Sequence, residues 1–246
     1  MSARELRVAR AVGALVVVVL VGAGAVAPRL GLRHANSSCP TGMAALTGGS
    51  FTMGDRGDAV VVLPFCLDVT EVTADAFAAC VKSGQCAAEE AGGSPPDATC
   101  NYRVAGRGDH PMNCVDLAQA TTYCQVQGKR LPSEEEWEWA ARGGSRGTTY
   151  PWGNEAPEPE SGVCWKQAGT CAVGTHPASD APGGIHDLAG NVWEWTTGMI
   201  GQSHVYRGGS WGNTEARYLR AATRSRNGAL VSYGVLGFRC ALTSHR

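Results

Sequence analysis

Cysteine is the residue type whose number and spacing could carry chemistry in this sequence. The chain has 246 residues and contains 10 cysteines, which either bind soft metal ions as thiolates or pair as disulfides. No Cys-x-x-Cys motif occurs, and the spacings Cys80–Cys86 and Cys164–Cys171 fit small covalent loops better than a metal site. The even count therefore predicts up to five disulfides from these positions: Cys39, Cys66, Cys80, Cys86, Cys100, Cys114, Cys124, Cys164, Cys171 and Cys240.

Other chemical patterns are missing from the sequence, and the composition narrows the class of protein. The 6 histidines contain no pair at i, i+4 spacing, and no G-x-S-x-G motif, phosphate loop or dinucleotide fingerprint occurs. A formal net charge of −1 without a basic run argues against a nucleic-acid partner. With 43% hydrophobic and 17% charged residues, the chain is expected to fold.

The N-terminus has the pattern of an export segment. Three arginines within residues 1–10 precede an uncharged stretch from Ala11 to Ala27. Residues 1–27 are therefore predicted to be a cleaved signal peptide or an uncleaved membrane anchor, and both alternatives stay open. Residues 28–38 are predicted to be a tether. We expect the rest of the chain to be extracytoplasmic, secreted or anchored, and to touch a membrane only through the N-terminal segment.

The cysteines must be positioned by a loop-rich domain over residues 39–246. Apolar spacing and turn residues predict two strands and three helices, over residues 48–54, 60–69, 74–82 and 116–127 and from Ser133 to Gly143. Beyond residue 145 the pattern predicts turns and short strands. We expect one α+β domain in which Trp137, Trp139, Trp193 and Trp195 are core residues. We also expect Arg142, Arg224 and Arg239 to pair with carboxylates inside this domain.

Seven phrases of the sequence, taken in order, resemble the sulfatase-modifying factor family, whose namesake is formylglycine-generating enzyme. They are GGSFTMG (48–54), TEVT (70–73), GKRLPSEEEWEWAARGG (128–144), YPWGN (150–154), DLAGNVWEW (187–195), RGGSW (207–211) and GFRC (237–240). The resemblance covers nearly all of residues 39–246. It implies an irregular α+β fold, a variant related to C-type lectins, with little regular secondary structure.

The resemblance also implies an active-site phrase from which the catalytic ligands are missing. The family namesake oxidises a cysteine of secreted sulfatases with O₂, and two cysteines shortly after the Gly-Gly-Ser phrase hold its copper(I). In this chain Ser210 and Trp211 are followed by Asn213 where the first of these cysteines would lie, and no cysteine follows before Cys240. Asparagine cannot supply a thiolate, so we do not expect copper here.

A disulfide pattern follows from the same resemblance. The family bond between the second helix and the Gly-Phe-Arg-Cys phrase implies Cys124–Cys240, whereas Ala141 and Ala221 occupy both positions of a second family bond. Order and proximity pair the other cysteines as Cys39–Cys66, Cys80–Cys86, Cys100–Cys114 and Cys164–Cys171. Sequence alone does not fix these four pairs.

The resemblance further implies one calcium site. The matching positions are Asp187, Gly190, Val192 and Glu194, with side-chain oxygens at the first and last and backbone carbonyls between them. Calcium prefers such oxygen ligands. The alternative is that Glu194 only pairs with an arginine and Asp187 only caps a turn.

Two functions follow from these expectations. The first is an exported, non-catalytic binding or scaffold module, supported by calcium and disulfides, whose loops over 87–113 and 196–235 contact a protein, peptide or glycan. The second is a formylglycine-generating oxidase that acts on a cysteine of a secreted sulfatase. The loss of both thiolates favours the first.

Overall fold

The structure is a computed structural model that describes residues 39–55, 57, 59–87, 98–158 and 162–244. These residues belong to one compact unit, Asn36–Arg246. The predicted export segment (1–27) and tether (28–38) lie outside the described residues. Among the residues that are described, no helix has the length and apolar character needed to cross a membrane.

The three helices form where local capping signals predict them. They are α1 (Ala74–Lys82), α2 (Leu117–Val126) and α3 (Glu134–Ala141). Thr73 caps α1 by accepting a hydrogen bond from the backbone N–H of Ala76. Reciprocal capping boxes begin the other two helices, Asp116 with Gln119 and Ser133 with Glu136. Each boundary agrees with the sequence prediction to within two residues because these signals are local.

The described strands form three small sheets. The strands are β1 (Met43–Leu46), β2 (Gly49–Thr52), β3 (Ala59–Val62), β4 (Phe65–Asp68), β5 (Trp193–Ile200), β6 (Ser203–Arg207), β7 (Arg224–Asn227), β8 (Leu236–Gly237) and β9 (Ala241–Thr243). Their orders are β1-β4-β9, β2-β3 and β7-β6-β5-β8, and of these pairs only β5 with β8 is parallel. The sheet of β1, β4 and β9 brings both ends of the domain together.

The prediction of a single strand over residues 60–69 is wrong. The chain forms β3 and β4 instead, separated by Leu63 and Pro64, and the two strands belong to different sheets. Proline has no backbone N–H to donate to a ladder, so a continuous strand through Pro64 is disfavoured. Strand β1 is also not predicted by the sequence; it pairs with β4, with Met43 opposite Asp68.

Tryptophans and other large side chains fill the core, as predicted. Trp137 and Trp195 are fully buried, and Trp139 and Trp193 are nearly so. The buried side chains form three clusters. One packs around α2, the second packs around α3, and the third, smaller cluster contains Trp165. The longest helix in the described part of the chain, α2, has only 10 residues, so loops supply much of the packing.

Five disulfides tie these loops together, and they are the five pairs that the sequence analysis gave. The bonds are Cys39–Cys66, Cys80–Cys86, Cys100–Cys114, Cys124–Cys240 and Cys164–Cys171. One of them joins α2 to the segment before β9 across 116 residues. The others close shorter segments, so the bonds staple the domain both locally and end to end.

Candidate functional site

A glycine turn after β6 positions the phrase that matches the family's active site. Gly208 and Gly209 have φ of +105° and +76°, a region that glycine enters at little cost. A Cβ on Gly209 would lie 2.7 Å from a methyl of Leu219 and 2.8 Å from the carbonyl oxygen of Tyr218. Both the turn and this close approach therefore require glycine, and together they set the direction of Ser210.

Ser210 and Asn213 are bonded to each other. The Asn213 Oδ1 accepts hydrogen bonds from the Ser210 backbone N–H at 2.7 Å and from its Oγ at 3.1 Å. Ser210 is only 1% exposed. Trp211 donates from Nε1 to the carbonyl oxygen of Gly234 at 3.1 Å, which holds the following loop against the turn. The side chain that replaces the family's first cysteine thus closes a turn.

The donors around this turn do not fit copper(I). Copper(I) is a soft ion that prefers thiolates, whereas Ser210 and Asn213 offer oxygen and amide groups. All 10 cysteines of the chain lie in the described residues and all are in disulfides. No thiolate of the oxidised protein is therefore available to hold the ion.

The disulfide loop 164–171 packs directly against the turn. The backbone N–H of Gln167 donates to the carbonyl oxygen of Trp211 at 2.9 Å, and that of Lys166 donates to Asn213 at 3.3 Å. The sequence does not predict this contact. The contacting residues are more than forty positions apart along the chain, and no local pattern indicates such docking.

Asn191 links the loop and the turn. Its backbone N–H donates to the Cys164 carbonyl oxygen at 2.8 Å, and its Oδ1 accepts from the Cys171 N–H at 3.0 Å. Its own carbonyl oxygen accepts from the Trp211 N–H at 2.8 Å. Asn191 has a φ of +49°, which asparagine tolerates better than most residues. Asn191 is therefore a central residue of the face that the glycine turn and the 164–171 loop form together. The sequence does not single it out.

Apolar and basic side chains surround this face. Leu230 is 87% exposed and Tyr233 is 45% exposed, on the loop that Trp211 holds. The Lys166 ammonium lies 4.2 Å from the centre of the buried Trp165 ring, a cation–π contact that fixes a positive charge on the disulfide loop. The face therefore offers exposed apolar contacts and a positioned cation.

The four residues matched to calcium lie together in one buried stretch before and within β5. Every residue from 187 to 196 is buried. Asp187, Gly190 and Asn191 have φ of +57°, +92° and +49°, so the stretch turns tightly. The Gly190 N–H donates to the carbonyl oxygen of Gly208 at 2.9 Å, which joins this stretch to the glycine turn.

Protein partners already contact both carboxylates of the set. Arg239 donates to Glu194 from Nε and Nη2, each at 2.8 Å, and Trp137 donates from Nε1 at 2.8 Å. The Asp187 Oδ2 accepts from the Gly174 N–H at 2.6 Å. The contacts of the non-metal alternative are thus present, but each carboxylate oxygen has more than one lone pair, so a cation remains compatible with them.

Glu71, which the sequence analysis missed, lies beside this stretch. It is 1% exposed, and neither of its carboxylate oxygens has a hydrogen-bond partner among the described residues. Burial raises its pKa well above the usual range, and the charge of Asp187 raises it further. Burial also raises the pKa of Asp187 and that of Glu194. The buried region therefore has too much negative charge for its own positive groups.

The buried acids of this region outnumber its buried bases. Glu71, Asp187 and Glu194 interact with one buried arginine, Arg239, and burial raises the pKa of all three carboxyl groups. In the described ranges no three His, Cys, Asp or Glu side chains form a metal centre by themselves. An ion here would need backbone carbonyls such as those of Gly190 and Val192, and calcium accepts such ligands readily.

The fold and the glycine turn define a class of protein. A family model described as the sulfatase-modifying factor enzyme 1-like domain matches residues 31–244. The chain therefore belongs to this family, as the resemblance of its phrases predicts.

The similar relatives include proteins that are named inactive and proteins that are named as the enzyme. The chain is 34% identical to "Inactive C-alpha-formylglycine-generating enzyme 2" of Mus musculus, over 89% of this chain and 90% of that protein. It is 39% identical to the protein of the same name from Bos taurus, over 54% of this chain and 50% of that protein. It is 33% identical to "Formylglycine-generating enzyme" of Streptomyces coelicolor, over 81% of this chain and 88% of that protein.

Solved structures confirm the predicted α+β fold, an irregular C-type-lectin-like variant. PvdO from Pseudomonas aeruginosa has a TM-score of 0.64 and 25% identity, over 81% of this chain and 93% of that one. Treponema denticola variable protein 1 also has a TM-score of 0.64, at 20% identity, over 81% and 94% of the two chains. The second likeness concerns the fold alone.

Proposed function

We propose that the chain is an exported, non-catalytic binding or scaffold module of the sulfatase-modifying factor family. The observation that carries the proposal is that all 10 cysteines are in disulfides, so no free thiol is left. Copper(I) chemistry in this family needs thiolates, and Asn213 instead closes a turn with Ser210. Five disulfides also favour an oxidising, extracytoplasmic location.

The binding face of this module is the surface built from the glycine turn, the 164–171 loop and the loop that carries Leu230 and Tyr233. Leu230 and Tyr233 offer exposed apolar groups and Lys166 offers a positive charge, and this combination suits a protein or peptide ligand with apolar and acidic groups. A glycan remains a second ligand class, which the family's C-type-lectin-like fold supports by analogy.

The alternative function is oxidation of a sulfatase cysteine to formylglycine. A relative of comparable length, from Streptomyces coelicolor, is named for that activity. The alternative requires a copper ligand set other than the family's thiolate pair, or reduction of a disulfide to release two thiolates.

We expect the oxidised full-length chain to produce no formylglycine. The test offers it copper(I), O₂ and a sulfatase-type cysteine peptide, with an active formylglycine-generating enzyme as the positive control. A mass shift of the peptide above the no-protein background would overturn the non-catalytic proposal. A thiol titration of the unreduced protein should give zero reactive thiols, and two would reopen the oxidase alternative.

We also propose that calcium binds at Asp187, Gly190, Val192 and Glu194. The ion would supply charge balance and a structural link. We expect calcium to raise the melting temperature of the chain and EDTA to remove the rise, because only the folded state presents these ligands together. Asp187→Ala should abolish the rise. The matched control is Asp180→Ala, which removes a nearby acid that pairs with His186 and should leave the rise intact.

A further inference from the structure

The sequence contains one Asn-Gly dipeptide, and it lies where β7 ends. Asn227 is the last residue of this strand and is opposite His204 of β6. Gly228 follows the last paired residue, so its amide lies outside the ladder that joins β6 to β7. It is also exposed to solvent. The sheet therefore holds the dipeptide on one side and leaves it open to water on the other.

The Asn227 side chain folds back onto the next residue. The Gly228 backbone N–H donates to the Asn227 Oδ1 at 2.9 Å. Because Oδ1 is bonded to Cγ, this contact also holds the Gly228 nitrogen close to Cγ, which is the electrophilic carbon of the side-chain amide. One new bond between these two atoms would close a succinimide ring.

The surroundings of Gly228 leave room for this ring. Gly228 has no Cβ to crowd its own nitrogen, and even a Cβ added there would meet no atom within 4 Å. Any larger residue at this position would shield the nitrogen with its side chain. Ring closure therefore requires no displacement of neighbouring segments.

Tyr233 contacts the nitrogen that would leave. The Asn227 Nδ2 donates to the Tyr233 Oη at 3.4 Å. After attack on Cγ, Nδ2 becomes an amine with a free lone pair, so the phenol O–H can donate to it. Tyr233 is 45% exposed, which allows water to return the proton.

We propose that Asn227 is a site of intramolecular deamidation in the folded protein. The Gly228 nitrogen loses its proton to water and bonds to Cγ of Asn227. The Cγ–Nδ2 bond breaks, and ammonia leaves with a proton from Tyr233. Water then adds to either ring carbonyl and opens the succinimide to aspartate or isoaspartate. The reaction consumes water and releases ammonia, and it needs no oxidant or reductant.

This modification would change the loop that carries Leu230 and Tyr233. It adds a negative charge at position 227 and removes the amide donor to Tyr233. Isoaspartate also inserts its Cβ into the main chain, close to the Ala229 carbonyl oxygen that accepts from the Leu117 N–H at 3.2 Å. The chemistry does not depend on the proposed function, but its effect falls on the proposed binding face.

The test incubates the full-length oxidised chain in mildly alkaline buffer and follows each asparagine by peptide mapping, which separates aspartate from isoaspartate. We expect deamidation at Asn227 to be about tenfold or more faster than at Asn154, an exposed asparagine that Glu155 follows. Equal rates at the two asparagines would overturn the proposal.

The unfolded chain separates the effect of the structure from that of the dipeptide. The reduced, alkylated chain in urea gives the rate of the Asn-Gly sequence alone. We expect the folded rate to lie within about tenfold of this reference or above it, whereas a folded site held in the wrong geometry is protected. Stronger protection than this in the folded chain would overturn the proposal.

Two variants assign the reaction to these atoms. Gly228→Ala keeps the asparagine and adds a methyl group in open space, so we expect an unchanged melting temperature and deamidation about tenfold or more slower. Tyr233→Phe removes only the hydroxyl, and we expect slower loss of ammonia at Asn227 with the rate at Asn154 unchanged. A wild-type rate in Gly228→Ala would overturn the ring mechanism. A wild-type rate in Tyr233→Phe would overturn the role of Tyr233 as proton donor.

Discussion

Two arginines, Arg207 and Arg239, lie in the core of this protein, where charged side chains are uncommon. Both are fully buried. Arg207 donates from Nη1 to the carbonyl oxygen of Ala221 at 3.0 Å and from Nη2 to Glu134 at 2.7 Å. A long side chain with several donors can satisfy loop carbonyls and carboxylates together. Buried guanidinium groups therefore suit a fold in which loops as well as regular elements meet in the interior.

Replacing Arg207 should be strongly destabilising. Arg207→Met would leave Glu134 and Glu138 buried without their shared cation, and breaking such a network typically costs about 3–5 kcal/mol. The measurement is urea unfolding of the oxidised protein.

The matched control for that change is Arg217→Met. Arg217 pairs with Glu215 on the surface, where both side chains are more than half exposed, so the free energy of unfolding should change far less than in Arg207→Met. Equal effects of the two variants would show that the buried network is not a distinct source of stability.

The sequence predicts some of these contacts and misses others for a physical reason. It predicts carboxylate partners for Arg142, Arg224 and Arg239, and the structure places each of them within 3.5 Å of a glutamate. It does not predict the role of Arg207 or Glu71. A charged residue in a short motif looks the same whether it ends in solvent or in the core, because its depth depends on segments far along the chain.

At the scale of elements, the glycine turn after β6 connects the two candidate sites. Gly208 accepts from the Gly190 N–H of the predicted calcium stretch, and Gly209 packs against the short helical turn that contains Leu219. The backbone conformation of this turn is therefore under two constraints. One is the positive φ and the other is the space next to Gly209.

Substitution of Gly209 should reveal both constraints. Gly209→Ala combines a φ of +76° with a Cβ placed 2.7 Å from Leu219, and we expect a loss of about 2–4 kcal/mol from backbone strain plus crowding. The control is Gly128→Ala, since Gly128 has a φ of +68° and nothing within 4 Å of its Cβ position. That change should cost only about 1–2 kcal/mol. Denaturant unfolding measures both, and a similar loss in the two variants would remove the argument from crowding.

Helices and strands differ in how well the sequence predicts them. The helix starts depend on Thr73, Asp116 and Ser133, whose side chains bond within three residues, so the signal is contained in a short segment. The strands depend on partners elsewhere. β1 is recognisable only from its pairing with β4, and β8 has two residues beside β5. The docking of the 164–171 loop on the glycine turn belongs to the same class of contact.

At the scale of the whole molecule, short elements and three modest cores are held by covalent bonds. The family resemblance gives Cys124–Cys240, and order along the chain gives the four other pairs, because nearby cysteines meet readily in a loop-rich domain. The phrase resemblance also predicts the fold class. It could not predict how loops pack on one another, because that depends on the depth and shape of each loop.

The disulfides should differ in their contribution to stability according to the loop that each closes. In the chain-entropy model, a cross-link across 116 residues removes more freedom from the unfolded chain than one across 6, giving about 5 kcal/mol for Cys124–Cys240 and about 2 kcal/mol for Cys80–Cys86. We therefore expect the double variant Cys124→Ala/Cys240→Ala to lose roughly twice as much stability as Cys80→Ala/Cys86→Ala.

The two double variants are matched in the packing that they lose. All four cysteines are buried, and each variant removes two sulfur atoms. A difference between the variants then reports the length of the closed loop and not the loss of packing. Urea unfolding of both oxidised variants against the wild type measures the difference. An equal loss would mean that the two ends of the domain, which β4 and β9 already join in one sheet, are held mainly by that pairing and not by the bond from α2.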